Sequence, residues 1–396
     1  MCGDLRGGKG RRGHGGRTRG IPMKVSAASA ECVIVGGGVS GLYAARLLTK
    51  LGIDWCLLEG RKTVGGRILS PAAPQATASH RSVRRGGFDL GPSWYWPEYQ
   101  SDLARLVEHL RLEAFPQFEL GDMVVERAAA GSPSRLPGYR SVPQSWRLAG
   151  GMGALVEGLR GGLDAERIHF GQVVRRLEIH AGQILLIARD ERGETTLWQG
   201  NKVLLALPPR LAAQSLAFEP ALAEPLLSDW SAVPTWMAPQ AKYLAVYEKP
   251  FWREQGLSGE ARSALGPLQE IHDASLPDGP AALFGFLGMS ARDRRRWPES
   301  DLLDACREHL GRLFGAPAAA PLAQFYKDWA MDPLTATATD ADTIADHVPA
   351  PSAAPDVGPW AGRIQGIASE WAKEYPGYIA GALESATVGV RSISRS

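Results

Sequence analysis

The sequence has few cysteines, and their positions exclude two common uses of this residue. Cys2, Cys32, Cys56 and Cys306 are the four cysteines among 396 residues. No two of them form a C-x-x-C pair, so neither a zinc cluster nor a disulfide framework is indicated. Cys32 and Cys56 lie in apolar runs, and we expect them to be small buried residues of strands. This cysteine usage favours a cytoplasmic location.

Long apolar runs and clustered histidines are also missing. No uninterrupted apolar stretch reaches membrane-spanning length, so we predict no membrane span. The eight histidines include no H-x-x-x-H pair, so we predict no metal site.

The net charge of +2 is unevenly distributed along the chain. The first 24 residues contain seven Lys and Arg and one acid, whereas the remainder contains 37 basic and 41 acidic residues. The body of the protein is therefore mildly acidic, and no nucleic-acid partner is expected. Residues 1–27, which are rich in Gly and Arg, are predicted to be a disordered basic extension. Two interpretations remain open: an upstream extension before a start at Met23, or a tail that binds RNA or an anionic surface.

A strand-to-helix junction rich in glycine follows this extension. The apolar run at 32–35 predicts a buried parallel strand, and a helix is predicted from about Val39 to Leu51. Gly36, Gly38 and Gly41 form a G-x-G-x-x-G pattern at the junction, beside Ser40. Such a junction brings backbone amides and the positive end of a helix against a pyrophosphate.

A second predicted strand, at 55–58, ends at Glu59, which lies 18 residues beyond Gly41. A carboxylate at this distance accepts hydrogen bonds from the ribose hydroxyls of a dinucleotide. Arg61 would suit the additional phosphate of NADP, but the segments that follow favour a flavin.

The stretch LEGRKTVGGRILS at 58–70 resembles the L-E-x-R-x-x-x-G-G-R signature of the FAD-dependent amine oxidases. That superfamily includes monoamine and polyamine oxidases, L-amino-acid oxidases and phytoene-type desaturases. The resemblance extends over roughly residues 30–392. It implies an α/β, two-domain flavoprotein. A Rossmann-like FAD-binding domain would comprise 28–100, 145–235 and 355–396, and a mixed-sheet substrate domain would comprise 101–144 and 236–354.

Five further segments carry the resemblance: FDLGPSWYWP at 88–97, RLAGGMGALVEGL at 147–159, RIHFGQVVRRLEI at 167–179, AKYLAVYEKPFW at 241–252 and IASEWAKEYPGY at 367–378. The fourth matches K-x7-P-F-W, in which the family's lysine holds a water next to flavin N5. Lys242 inherits that role. The last matches a segment that lies against the ribityl chain and the ring.

The resemblance implies the following site residues. Lys242 and Tyr378 would be catalytic, and the cofactor contacts would be Gly36, Gly38, Ser40, Gly41, Glu59, Arg61, Gly65, Gly66, Arg67, Gly91, Ser93, Val174, Trp329, Glu370, Gly377 and Tyr378.

The sequence departs from the family pattern in three places. No cysteine follows Trp329, so FAD should be bound non-covalently. In the family, two aromatic side chains enclose the amine, and here the second is replaced by a threonine near Thr337 or Thr339. Two interpretations of Trp94 and Trp96 remain open: they compensate for this loss, or they are core residues. Only about 50 residues separate 88–97 from 147–159, so the site should be more open or capped by a partner. Arg84 and Arg85 are candidates for binding a substrate carboxylate.

The resemblance implies oxidation of a small-molecule amine to an imine by hydride transfer to flavin N5, with oxygen as acceptor and hydrogen peroxide as product. One alternative is an FAD-dependent desaturase or dehydrogenase acting on a larger apolar substrate, against which the retained Lys242 argues. A degenerate flavin-binding partner protein is the other alternative. The sequence indicates no particular oligomeric state.

Overall fold

The computed structural model describes residues 23–72, 87–127, 131–277, 279–342 and 348–394, with 23–28 described by their backbone alone. The strands are β1 Met23–Val35, β2 Trp55–Leu58, β3 Ala114–Pro116, β4 Asp122–Glu126, β5 Ser134–Pro137, β6 Trp146–Leu148, β7 Ile168–His169, β8 Val173–His180, β9 Gln183–Arg189, β10 Thr195–Leu205, β11 Ala217–Glu219, β12 Ala241–Tyr247, β13 Leu257–Ser263, β14 Leu268–Asp273, β15 Ala281–Leu287, β16 Ala323–Asp328 and β17 Ile364–Gly366. The helices are α1 Val39–Leu51, α2 Ser101–His109, α3 Gly153–Arg160, α4 Pro209–Ser215, α5 Glu224–Ala232, α6 Phe251–Glu254, α7 Ala291–Arg294, α8 Glu299–Phe314 and α9 Ile379–Ser394.

The described residues form an eight-stranded sheet with the order β11-β8-β9-β10-β1-β2-β7, and β17 also pairs with β10. The ladders of β1 with β2 and with β10 are parallel, whereas β8, β9 and β10 form an antiparallel meander. Parallel neighbours require a crossover, and α1 supplies the one between β1 and β2. This β1-α1-β2 unit confirms the predicted α/β class with a Rossmann-like part.

Apolar side chains cover both faces of this sheet. On one face, Ile34 and Leu57 pack with Leu42 and Leu48 of α1 and with Leu383 of α9. The opposite face carries a second buried cluster, which includes Trp198, Trp230, Trp360 and Trp371. Burial on both faces explains why β2 is apolar at every position, including Cys56.

The second sheet has the order β16-β12-β15-β14-β13-β4-β5 among the described residues, and it is mixed because β4 and β13 are parallel. Strand β12, which lies between β16 and β15, is buried at all seven positions. Tyr243 and Ala245 join the core that contains α8, while Leu244 and Val246 pack with Phe284 on the other face. Because side chains alternate along a strand, Lys242 shares the face of Leu244.

The bounds of α1 and β2 agree with the sequence predictions. One prediction was wrong: residues 23–27, assigned to the disordered extension, belong to β1. Met23 and Lys24 pair with Thr195 and Thr196 of β10. Hydrogen bonds to the neighbouring strand therefore order a segment whose composition is typical of a disordered one. Residues 1–22 lie outside the described part of the chain. The proposed domain boundaries stay a prediction.

Candidate functional site

One cavity of about 410 Å³ collects residues from both sheets. Of the residues predicted from the sequence, its wall contains Gly36, Gly38, Ser40, Glu59, Arg61, Gly65, Gly66, Arg67, Gly91, Ser93, Val174, Lys242, Trp329, Gly377 and Tyr378. Gly41 and Glu370 do not belong to the wall. Trp94 and Trp96, for which the sequence left a core role open, line the cavity.

The glycine turn forms one end of this cavity. Gly36 has φ of 107°, which favours glycine, and a Cβ atom there would lie 2.8 Å from the carbonyl oxygen of Ala206. A Cβ on Gly41 would lie 2.0 Å from the Gly36 carbonyl oxygen, so Gly41 serves close packing of the helix rather than ligand contact. At Gly38 the nearest atom would be 3.9 Å away, which leaves the backbone open at the N-terminus of α1. This geometry suits a phosphate.

Glu59 connects the end of β2 to the glycine turn. Its carboxylate accepts hydrogen bonds from the backbone N–H of Gly37 and of Arg61, each at 2.7 Å, and the residue is buried. The Arg61 guanidinium donates to the Asp332 carboxylate at 2.7 Å and to the Thr335 hydroxyl at 3.1 Å. The predicted ribose acceptor therefore also fixes the turn, which the sequence spacing did not indicate.

Arg67, in the cavity wall, forms an ion pair with Glu370, which does not line the cavity. The guanidinium donates to both carboxylate oxygens, at 2.5 and 3.0 Å, and the Glu370 side chain is 3% exposed. The sequence placed Glu370 against the ribityl chain. In the structure Glu370 instead orients Arg67, because the carboxylate is committed to the guanidinium and to the backbone N–H of Trp236.

Lys242 reaches the cavity from β12. Its ammonium donates to the Ser93 hydroxyl at 2.7 Å and to the Gly91 carbonyl at 3.1 Å, and it lies 3.7 Å from the centre of the Phe284 ring. Burial lowers its pKa to about 7, because the charged form loses its hydration; Asp89 opposes this shift, and the positive charge of Arg147 adds to it. A lysine in this state can exchange a proton near neutral pH.

Aromatic rings surround Tyr378. Trp96 meets it edge to face with ring centroids 6.2 Å apart, and Trp236 lies 6.1 Å away at an angle of 34°. Trp329 donates its indole N–H to the Leu90 carbonyl at 3.0 Å. Sequence reasoning missed Trp236, because it lies in a loop without a periodic pattern, six residues before Lys242.

The sequence predicts that a threonine near Thr337 or Thr339 replaces the second sandwich aromatic. Thr337 and Thr339 do not belong to the cavity wall, whereas Pro333, Leu334 and Thr335 do. The Thr337 hydroxyl and backbone N–H instead donate to the carboxylate of Asp340, both at 2.8 Å. Arg84 and Arg85 lie outside the described residues.

A second cavity, of about 460 Å³, adjoins the first. Both cavities are lined by Met237, Gln240 and Phe286, while the second also contains polar side chains, among them Glu126 and Glu270. A hydrogen bond from Arg312 holds the pKa of Glu126 down at about 2, although burial works in the opposite direction. The second cavity therefore contains carboxylates as well as the side chains that it shares with the first.

Among the described residues, no helix combines the length and apolarity needed to cross a bilayer. The same part of the chain contains no group of three or more His, Cys, Asp or Glu able to hold a metal ion.

Comparison with known proteins agrees with this geometry. The sequence profile of flavin containing amine oxidoreductases matches residues 126–393, and that of an NAD(P)-binding Rossmann-like domain matches residues 34–110. The chain is 28% identical over 267 residues to a probable flavin-containing monoamine oxidase A of Dictyostelium discoideum, a match that covers 65% of this chain and 55% of the relative. It is also 28% identical over 457 residues to the putative flavin-containing monoamine oxidase AofH of Mycobacterium tuberculosis, covering 90% and 94%.

A solved structure shares the fold. Cyclohexylamine oxidase from Brevibacterium oxydans aligns with a TM-score of 0.73 and 18% identity, over 92% of this chain and 99% of that one. The family profile alone spans more than half of the 396 residues. It assigns a flavin cofactor and the oxidoreductase class. The chain therefore belongs to the family of flavin containing amine oxidoreductases.

Proposed function

We propose that the protein is an FAD-dependent enzyme that oxidises a small-molecule amine to an imine, with oxygen as acceptor and hydrogen peroxide as product. One observation carries the proposal: the buried Lys242 and the open glycine turn line the same cavity. The first is suited to proton exchange beside a redox centre, and the second to the diphosphate of a dinucleotide.

The wall fits FAD along its length. The N-terminus of α1 and the open face of Gly38 suit the diphosphate, and Glu59 suits the ribose. Helix α9 begins just after Tyr378, so its N-terminus suits the negative charge that reduction brings to the flavin. None of the three described cysteines lines the cavity, and all three are buried, which supports non-covalent binding.

The chain's own residues would prepare the amine. FAD, when bound, would supply the hydride acceptor and pass the electrons to oxygen. Tyr378 and Trp96 present aromatic surface to the substrate carbon chain, and this apolar wall excludes water and favours the neutral amine that must lose hydride. Lys242 holds or releases a proton at Nζ through its hydrogen bond to Ser93.

Amine-driven flavin reduction tests this proposal. The purified protein should be yellow with released FAD, and anaerobic addition of a panel of amines should bleach it. Admission of air should then restore the colour and yield one hydrogen peroxide for each flavin. Failure to bind added FAD would reject the proposal, whereas a yellow protein that no amine bleaches would favour the degenerate flavin-binding partner. Bleaching that air does not reverse, but a dye acceptor does, would indicate a dehydrogenase.

A further inference from the structure

Two ion pairs hold a single turn between α5 and β12. Arg210 and Asp340 form the first, at 2.7 Å, and both side chains are buried. The Asp340 carboxylate also accepts the backbone N–H of Thr235 at 3.0 Å. The start of the turn is therefore fixed by a buried carboxylate.

The second ion pair, formed by Glu370 and Arg67, bonds to both backbone polar groups of the next residue, Trp236. Glu370 accepts the backbone N–H of Trp236 at 3.1 Å, and Arg67 donates to the carbonyl of Trp236 at 3.2 Å. Since Glu370 and Arg67 bind each other, the backbone of Trp236 is part of one polar network. Charge-assisted hydrogen bonds of this kind are stronger than neutral ones.

The turn also contains an uncommon backbone conformation. Met237 has φ of 59°, in the left-handed region that residues other than glycine seldom adopt. Such conformations persist where the surrounding structure imposes them, and they recur at ligand sites. Met237 lines both cavities, so the turn contributes to the wall of each.

The side chain of Trp236 lines the first cavity and covers the Gly377–Tyr378 turn. A Cβ atom on Gly377 would lie 2.5 Å from Cγ of Trp236, so the indole packs directly on the glycine. Together with Tyr378 and Trp96 the indole forms a continuous aromatic surface. The polar network thus holds a large aromatic ring in a fixed position at the cavity wall.

We propose that Trp236 is a specificity-determining residue that contacts the apolar group carried by the substrate amine. The proposal rests on the amine-oxidising function proposed above. Trp236 would supply the second aromatic surface that the segment after Trp329 does not provide. A rigid indole discriminates ligands by their apolar area, because an aromatic face gains contact energy from a ring and little from a small group.

Amidines test this proposal without turnover. Benzamidine carries a ring and a cationic head but no hydrogen on the carbon that bears nitrogen, so it cannot lose hydride. Acetamidine has the same head without the ring. Binding of each to the FAD-loaded protein is measured by calorimetry and by the change in flavin absorbance, and FAD affinity of each variant is measured separately.

The wild-type protein should bind benzamidine more tightly than acetamidine. Trp236→Ala should weaken benzamidine binding about tenfold and leave acetamidine binding nearly unchanged. Trp236→Phe should restore most of the difference, and Trp297→Phe, a change at an exposed tryptophan, should have no effect. If Trp236→Ala does not fold, Trp236→Leu keeps apolar volume without the aromatic face and gives the same readout.

Three results would overturn the proposal. The first is no preference for benzamidine in the wild-type protein, the second an equal change for both amidines, and the third a loss confined to FAD affinity, which would make Trp236 a cofactor contact. Failure of the amine panel to bleach the flavin would count against the proposed function alone, because amidine binding needs no oxidation.

Discussion

The ammonium of Lys242 lies 2.7 Å from the hydroxyl of Ser93, and because an ammonium can only donate, Ser93 is the acceptor. The serine hydrogen must therefore point away from a protonated Lys242. Once the lysine loses its proton, Ser93 can donate to it instead. The pair is consequently a donor–acceptor switch in the cavity wall, with a lysine pKa of about 7.

Substitution of this lysine should affect chemistry and not cofactor binding. We expect Lys242→Met to slow flavin reduction or reoxidation by about 10²-fold, the lower range for a positioned proton-transfer group, while FAD stays bound. Stopped-flow absorbance measures the two half-reactions separately. Lys249→Met, at an exposed position paired with Glu254, is the matched control. Unchanged rates in both half-reactions would reject the role of Lys242.

The same lysine should make stability depend on pH. Its pKa falls from 10.5 in the unfolded chain to about 7 in the folded protein, so between these values the unfolded state binds more protons. The free energy of unfolding of the wild-type protein should therefore rise with pH from about 7 towards 10.5, relative to Lys242→Met. The slope is at most about 1.4 kcal/mol per pH unit. Denaturant titrations of the FAD-free proteins between pH 6 and roughly 9.5 measure this slope. If the free energies of unfolding of the two proteins change with pH in parallel, the pKa of Lys242 is not lowered by folding.

Alanine at two glycines should separate cofactor binding from folding. Gly38→Ala places a Cβ in open space, so the FAD-free protein should keep its thermal stability within a few degrees while FAD affinity falls at least tenfold. Gly41→Ala places a Cβ 2.0 Å from a carbonyl oxygen and should destabilise the fold itself. Calorimetric unfolding and FAD titration distinguish the two. Loss of stability in Gly38→Ala would show that the turn is tighter than the structure indicates.

Removal of the Glu59 carboxylate should weaken FAD retention. The ribose hydroxyls would lose a charged acceptor worth about 1.5–3 kcal/mol, which corresponds to roughly ten- to hundredfold in affinity. Because Glu59 also binds two backbone N–H groups, Glu59→Ala should lower the stability of the FAD-free protein as well. FAD titration of the apoprotein measures the first effect. Equal FAD affinity would count against the ribose assignment even if stability falls.

The local features of the cofactor end followed from the sequence. The periodicity of Val39–Leu51, the apolar strand at 55–58 and the spacing of Glu59 are properties of short segments, and the structure has them at the predicted positions. Only the resemblance to a family predicted that residues far apart in the chain lie close together in one site. Period and spacing describe neighbours along the chain, so by themselves they do not bring Lys242 to Ser93.

Tertiary structure alone decided which side chains face the cavity. Glu370 and Thr337 were expected at the site, but neither lines the cavity. The Glu370 carboxylate accepts from Arg67, and the Thr337 hydroxyl donates to Asp340. Trp236 belongs to a loop without any motif, and it reaches Tyr378 because the distant ion pair of Arg67 and Glu370 fixes its backbone. The sequence by itself determined the β1-α1-β2 unit with its glycine turn, since such a unit depends mainly on contacts between neighbouring segments. The aromatic surface around Tyr378 required the complete fold, because long-range hydrogen bonds fix the backbone from which the Trp236 side chain extends.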